Sequence, residues 1–149
     1  MKKLLIVLAI GVITTSLKAQ SSQKYNSLYQ RTEFFDSYGN MTGYAKENTL
    51  YNRMEYFDAN GNMVKYEKQN DLFNRKETFD QNGNQQGYEK KNDLFKRTDQ
   101  FNSSGNPTGS RKWNDLYKRY DVFDDSGNKV GHYKYNDLYE KWEYTDSSY

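Results

Sequence analysis

The acids at the heads of the recurring F-D-x-x-G-N segments are the first candidates for chemistry, because clustered carboxylates can bind Ca²⁺. Asp124-Asp125-Ser126-Gly127-Asn128 comes closest to an oxygen-rich loop. The equivalent acids are Asp36, Asp58 and Asp80, but the fourth copy has Asn102. Asn caps a turn as well as Asp does, whereas a calcium loop needs several carboxylates and a distant Glu. The pattern therefore favours turn capping, and it predicts no metal and no cofactor.

Catalytic side chains are scarce. The chain has one His and no Cys, so the usual pairing of a nucleophile with a base is not available. His132 occupies the position held by Tyr44, Tyr66 and Tyr88 in other copies. The carboxylates recur beside a base in every unit, which is typical of a solvated charge row and not of a paired acid and base. We therefore predict that the protein is not an enzyme.

Aromatic side chains are the third candidates. All 25 aromatic residues follow Ala19, and several of them depart from the repeat near the C-terminus. Clustered Trp and Tyr side chains are typical of contact surfaces for sugars or proteins. The sequence predicts a protein- or glycan-binding patch, and a role in capping the last hairpin or meeting a second copy stays open. The candidate residues are Trp113, Tyr120, Tyr133, Tyr135, Trp142 and Tyr144.

The elements that must position these residues come from a 22-residue repeat. Gly39, Gly61, Gly83, Gly105 and Gly127 are 22 residues apart, and each is followed by Asn. One unit (residues 50–71) contains two β-prone segments, each followed by a turn signal. Five full copies span residues 28–137, and a half copy begins at residue 138, so we expect about eleven strands. The apolar residues show no helical spacing.

This pattern predicts an all-β fold of tandem hairpins in an elongated antiparallel sheet, either a single layer or solenoid-like. Side chains alternate between a face that repeats in every copy and a face that varies. The repeated face carries ladders of aromatic, basic and acidic residues. We expect a final unpaired strand (residues 139–144), whose edge is open to self-association. The turn is either a two-residue loop or a longer one with a bulge, and this choice decides the register.

Residues 1–19 have the pattern of a secretory signal peptide, with Lys2 and Lys3, an apolar run and a small residue, Ala19, at the end. We expect a short lead at 20–27 and the repeat domain at 28–149. Three of the 22 basic residues lie in the predicted signal peptide, which leaves 22 − 3 = 19 basic residues against 20 acidic ones. The mature chain is therefore nearly neutral. That balance argues against nucleic-acid binding. The sequence predicts no membrane span after signal removal, and export to the periplasm, cell surface or exterior.

The segment Phe79-Asp80-Gln81-Asn82-Gly83-Asn84-Gln85-Gln86-Gly87-Tyr88-Glu89-Lys90 resembles the hairpin repeats of the MORN type and of a related bacterial antitoxin-like family. Its first half is also similar to the YD repeats of RHS proteins. The chain lacks the repeated Gly-x-Gly signature of MORN repeats and the large shell or toxin domain of RHS proteins. The resemblance implies an elongated hairpin sheet that serves as a scaffold or a binding surface without catalysis.

Together these observations predict an exported, non-enzymatic binding or structural module. Three more specific interpretations remain open. A self-assembling fibre or matrix subunit would use the open edges, a neutralising partner would bind a secreted toxin, and a glycan-binding protein would use the aromatic patch.

Overall fold

Twelve antiparallel strands make up the fold in a computed structural model that describes residues 22–147. The predicted signal peptide lies outside the described residues. The strands follow one another in chain order: β1 (Ser22–Asn26), β2 (Arg31–Phe35), β3 (Met41–Asn48), β4 (Arg53–Asp58), β5 (Met63–Asn70), β6 (Arg75–Asp80), β7 (Gln85–Asn92), β8 (Arg97–Asn102), β9 (Pro107–Asn114), β10 (Arg119–Asp124), β11 (Lys129–Asn136) and β12 (Lys141–Asp146).

The turn around each repeated Gly is closed by the residue at its head. In the second copy the Asp58 carboxylate accepts hydrogen bonds from the backbone N–H groups of Asn60 and Asn62 and from the Asn62 side chain. Gly61 adopts φ 86°, a conformation that side chains with a Cβ rarely accept. Asn102 accepts the backbone hydrogen bonds in the same way. Turn capping is therefore the role of these residues.

The second type of turn connects one repeat to the next and contains the repeated Leu. The side-chain oxygen of Asn70 accepts a hydrogen bond from the backbone N–H of Phe73, and Asn74 has φ 48°. The six leucines at these turns are 80–85% exposed. We call this ring of side chains at one end of the fold the leucine rim; its members are Leu28, Leu50, Leu72, Leu94, Leu116 and Leu138.

A β-bulge occurs at the same point in every complete hairpin, just before the repeated Phe. Between Tyr56 and Phe57, for example, the pairing with β5 shifts by one residue, and four other hairpins show the same shift. The turn is therefore the longer of the two alternatives that the sequence left open. A bulge bends its strand and increases the local twist, so five bulges at equivalent positions curve the sheet consistently in one direction.

The curved sheet closes into a barrel, and the prediction of an open, elongated sheet is wrong. The segment from Ser22 to Asn26, expected to be a lead, is strand β1 and pairs with both β2 and β12. The final strand is consequently paired on both sides, and there are twelve strands instead of about eleven. Lys24 and Asn26 match Lys68 and Asn70 of a return strand, a signal in the sequence that identifies β1 as the missing half of a hairpin.

The varying face of the sheet points into the barrel. Side chains from strands that are not adjacent meet on this face: Phe34 on β2 stacks with Tyr56 on β4, with ring centroids 6.2 Å apart. Glu89 on β7 contacts Arg111 on β9 at 2.6 Å. Only the concave side of a barrel lets alternate strands converge in this way. Phe34, Tyr56 and Ala45 are buried, with exposed fractions of 6%, 3% and 2%.

The repeated face forms the outer wall, where contacts join neighbouring strands. Tyr66 stacks on Phe79 with ring centroids 5.1 Å apart, and equivalent pairs recur in the copies before and after it. Arg75 pairs with Glu77 at 2.6 Å, and its guanidinium lies over the Tyr88 ring. The predicted aromatic and charged ladders therefore exist, and they cover the outside of the barrel. Within residues 22–147 no helix is long and apolar enough to cross a membrane.

Candidate functional site

The structure brings the predicted aromatic residues together inside the barrel, on β9 to β12. Tyr120 is central, with ring centroids 4.8 Å from Trp113 and 5.9 Å from Trp142. Tyr135 lies on the other side of Trp142 at 5.4 Å. All four residues are within two positions of a turn of the leucine rim, so this group lies near that end of the barrel.

The other two predicted residues lie deeper on the same inner wall. Tyr133 and Tyr144 face each other across β11 and β12, with ring centroids 4.8 Å apart. Burial raises the pKa of Tyr133 to about 12, and the neighbouring Tyr144 adds to this shift. The Tyr144 hydroxyl donates a hydrogen bond to the Val130 carbonyl oxygen at 3.2 Å. All six predicted residues thus form what we call the aromatic cluster (Trp113, Tyr120, Tyr133, Tyr135, Trp142, Tyr144).

Two buried polar atoms at the edge of this cluster lack hydrogen-bond partners among the described residues. They are the indole Nε1 of Trp142, which is a donor, and the side-chain Oε1 of Gln23, which is an acceptor. The two residues are 8% and 3% exposed and stand directly opposite each other where β1 meets β12. By contrast, the indole of Trp113 donates to Asp115 at 2.9 Å. An unpaired buried polar group is costly, so this donor and this acceptor on paired strands are unsatisfied polar atoms at the edge of the cluster.

A line of charged side chains occupies the opposite part of the inner wall. The Tyr56 hydroxyl donates to Glu67 at 2.8 Å, and Lys76 contacts both Glu67 at 2.9 Å and Glu89 at 3.1 Å. Arg111 then binds both carboxylate oxygens of Glu89 at 2.6 and 2.9 Å. We call these five residues the charged belt (Tyr56, Glu67, Lys76, Glu89, Arg111). It runs from β4 to β9 and ends where the aromatic cluster begins.

The pKa shifts in the charged belt reflect burial opposed by close partners. Burial alone would raise the pKa of Glu89, but the hydrogen bonds and charges of Arg111 and Lys76 outweigh it and lower the pKa. For Tyr56, burial and then the negative charge of Glu67 raise the pKa well above its usual value. The charge of Arg111, five strands further along the barrel, opposes this rise. The belt therefore spans the interior and carries ionised groups at neutral pH.

Lys65 adds a further cation to the inner wall, beside the charged belt. Its Nζ lies 4.3 Å from the centre of the Tyr56 ring and 3.7 Å from Glu67. Burial lowers its pKa, although the nearby Glu67 carboxylate opposes the change. Sequence reasoning missed this residue because its unusual feature is positional. The equivalent residue in every other copy is Gly, at Gly43, Gly87, Gly109 and Gly131.

Residues considered for metal binding or catalysis are arranged differently. Among residues 22–147 no three His, Cys, Asp or Glu side chains are grouped so that they could hold a metal ion. His132 stands opposite Asp121 on the outer wall, in the row that holds Tyr44 in the first copy. Burial, followed by the positive charge of Arg119, lowers the pKa of His132. The outer carboxylates pair with arginines along their own strands, as Glu77 does with Arg75.

A groove in the outer wall lies at Ser110, where the aromatic ladder is interrupted. Ser110 replaces the ring that Tyr88 supplies in the previous copy, so Arg97 has only the Phe95 ring beside it, whereas Arg75 lies between two rings. The gap has a volume of about 210 Å³ and is also lined by Asp124. It is open to solvent and is lined by repeated residues and turn residues.

Comparison with known proteins finds no match for this chain. No family model matches it, and no match is found among curated proteins or solved structures. The resemblance to MORN-type and antitoxin-like repeats therefore stays a prediction from the sequence.

Proposed function

We propose that the chain is an exported, non-enzymatic binding module that holds a carbohydrate inside its barrel. One observation carries this proposal: the residues that recur in every copy form the outer wall, whereas the residues that differ between copies face inward. A purely structural barrel needs no such diversity inside. A binding site does need it, because each part of an asymmetric ligand requires a different partner.

The size of the barrel supports a ligand site in its interior. Eight strands enclose a space that side chains just fill, and the width grows with strand number, so twelve strands enclose a barrel about 20 Å across. Among the inward positions Ala45 carries only a methyl group, and Gly43, Gly87 and Gly109 carry no side chain because a carbonyl oxygen of the neighbouring strand lies where a Cβ would be. A wall with short side chains on one side and aromatic rings on the other suits a ligand larger than a few atoms.

The chemistry of the inner wall favours a sugar over a lipid. Few aliphatic side chains face inward from the strands; Met54, next to the leucine rim, and Val122 are the largest. Aromatic faces with donors and acceptors beside them are the combination that sugar rings require, since their C–H faces stack and their hydroxyls need hydrogen bonds. Trp142 and Gln23 provide one buried donor and one buried acceptor without partners among the described residues.

Closure of the barrel bears differently on the fibre, toxin-partner and glycan-binding interpretations. The fibre hypothesis depended on open sheet edges, and each of the twelve described strands has a neighbour on both sides. Assembly would have to use another surface. The toxin-partner hypothesis has no particular contact to support it. Glycan binding, in contrast, gains from the grouping of the six aromatic residues.

The test uses the chain from Gln20 onward and a panel of neutral and acidic oligosaccharides, with binding measured by titration calorimetry. Trp142→Phe keeps an aromatic ring but removes the indole donor. We expect about a tenfold loss of affinity, since a buried hydrogen bond to a sugar hydroxyl is lost. Tyr117→Phe, on an exposed ring of the outer wall, is the matched control and should bind normally. Failure to bind any saccharide, or equal affinity of both variants and the wild type, would refute the proposal.

A further inference from the structure

Lys65 is a charged residue at a position that is Gly in the other four copies. At Gly43 an added Cβ would overlap the carbonyl oxygen of Phe57, and at Gly87 it would overlap that of Phe101. The second copy therefore makes room for a side chain where its neighbours do not. A lysine there points into the barrel, and its side chain is 21% exposed.

The carboxylates near Lys65 are already occupied. Glu67 accepts contacts from the Tyr56 hydroxyl and from Lys76, both shorter than 3 Å, and Lys65 lies farther away at 3.7 Å. Glu89 binds Arg111 through both oxygens. This part of the wall therefore holds three cations and two carboxylates, and Lys65 is the surplus cation. Its one ion pair, with Glu67 at 3.7 Å, is longer than the contacts of Lys76 at 2.9 and 3.1 Å and of Arg111 at 2.6 Å, so Lys65 is the cation of this group best placed to bind an anionic ligand.

A continuous strip of inner wall links Lys65 to the unpaired polar atoms. Lys65 lies over the Tyr56 ring, and Tyr56 stacks with Phe34. Phe34 stands opposite Gln23, and Gln23 stands opposite Trp142. The strip thus has a cation at one end, two aromatic rings in the middle, and an unpaired acceptor and donor at the other end.

Building on the carbohydrate site proposed above, we infer that the ligand is an acidic saccharide. Its anionic group binds Lys65, its sugar rings lie along Tyr56 and Phe34, and its hydroxyls bind Gln23 and Trp142. The strip accounts for both the surplus cation and the two unpaired polar atoms. The shared chemistry is an anion carried on a sugar, and either a carboxylate or a sulfate satisfies it.

The experiment compares uronic-acid oligosaccharides with their carboxyl-reduced counterparts, which have the same size and linkage but no charge, and with sulfated oligosaccharides. We expect the wild-type chain to bind at least one acidic form about ten- to a hundredfold more tightly than the neutral form, as a charge-assisted hydrogen bond would give. Lys65→Gly restores the residue of the other copies. It should abolish this preference, so that the acidic and neutral oligosaccharides bind with equal affinity.

Three further variants make the result specific. Lys65→Met keeps the bulk of the side chain without its charge and should behave like Lys65→Gly, while Lys65→Arg should retain the preference. Lys68→Met removes an exposed outer lysine three residues away and should have no effect. If the wild type shows no acidic preference, or if Lys65→Gly retains it, the inference is overturned. Sugar binding that still depends on Trp142 would then leave the proposed function intact.

Discussion

The ion pair between Arg111 and Glu89 tests most directly whether the varying face is enclosed. The side chains are 15% and 12% exposed, and the guanidinium binds both carboxylate oxygens. Removal of one partner from a buried pair costs about 3–5 kcal/mol, because the other charge is left without compensation. Lys76 remains 3.1 Å from Glu89 and keeps part of that compensation. We therefore expect Arg111→Met to lower the free energy of unfolding by about 2–3 kcal/mol.

The assay is urea unfolding followed by circular dichroism, with Arg97→Met as the matched control. Arg97 belongs to the outer wall, pairs with Asp99 and is 40% exposed, so its loss should cost about 0–1 kcal/mol. For a domain of this size, 2–3 kcal/mol also lowers the melting temperature by about 10 °C. The double variant Arg111→Met/Glu89→Gln removes both charges and should recover about 1–2 kcal/mol relative to Arg111→Met alone.

The pH dependence gives an independent check. Because the pKa of Glu89 is lowered in the folded state, its contribution to stability is present above its ordinary pKa and is lost as the pH falls through the folded value. The cost of Arg111→Met should therefore shrink as the pH falls from the ordinary pKa of a glutamate towards the lower folded value, where the carboxyl group becomes protonated and needs no cation. If Arg111→Met costs no more than Arg97→Met at neutral pH, then Arg111 is not enclosed, and the inward orientation of the varying face is wrong.

Three other predictions follow from the local geometry. Leu72→Ser should change the free energy of unfolding by less than about 0.5 kcal/mol, as measured by urea unfolding, because Leu72 is 85% exposed; a larger loss would mean that the leucine rim is packed in solution. Gly83→Ala should cost about 1–2 kcal/mol in the same assay, since Gly83 has φ 87°, whereas no loss would show that the turn relaxes. The whole domain should lose stability below about pH 4, because hydrogen bonds from Asn84 lower the pKa of Asp80 and the equivalent acids are similar; an acid titration of the melting temperature that stays flat to pH 3 would contradict this.

Much of the local structure follows from the repeat alone. The Asn-Gly segments and the Asn-x-Leu segments specify two turns for each unit, and the strands lie between them. The role of Asp58 and its equivalents as turn caps is also a local matter, because their hydrogen bonds join backbone and side chains within six residues. The aromatic pairs of the outer wall, such as Tyr66 with Phe79, follow from the alternation of side chains.

Closure of the barrel depends on quantities that a single repeat does not reveal. A sheet closes only when its curvature, its register and its number of strands agree. The bulge before each Phe contributes to the curvature, but the same turn sequence is compatible with a loop that has no bulge. The strand that completes the ring, Ser22–Asn26, has few repeat residues and stands directly after the predicted signal. Closure therefore had to be seen in the structure.

The aromatic cluster shows both what sequence can and cannot supply. Its six members were identifiable as departures from the repeat, but the sequence did not indicate that they line an enclosed wall. Lys65 and Gln23 were not identified at all, because neither residue type is unusual in a strand. Their meaning comes from their positions, a lysine at a glycine position and an unpaired amide oxygen opposite Trp142. The first signal is visible when the copies are aligned, whereas the second depends on a neighbour that is distant in the chain.

The outer and inner faces of the barrel have different roles, and this difference explains how one repeat can build a specific site. On the outer wall each copy contacts the next through similar pairs, such as Tyr66 with Phe79, so repetition itself provides the stability. The inner positions are then free to differ without loss of these contacts. Each copy contributes several inward side chains, and closure brings distant copies face to face, as with Tyr56 and Arg111. An exchange of inward residues should therefore alter the ligand while the barrel remains, whereas an exchange of outer residues should weaken the barrel whatever the ligand.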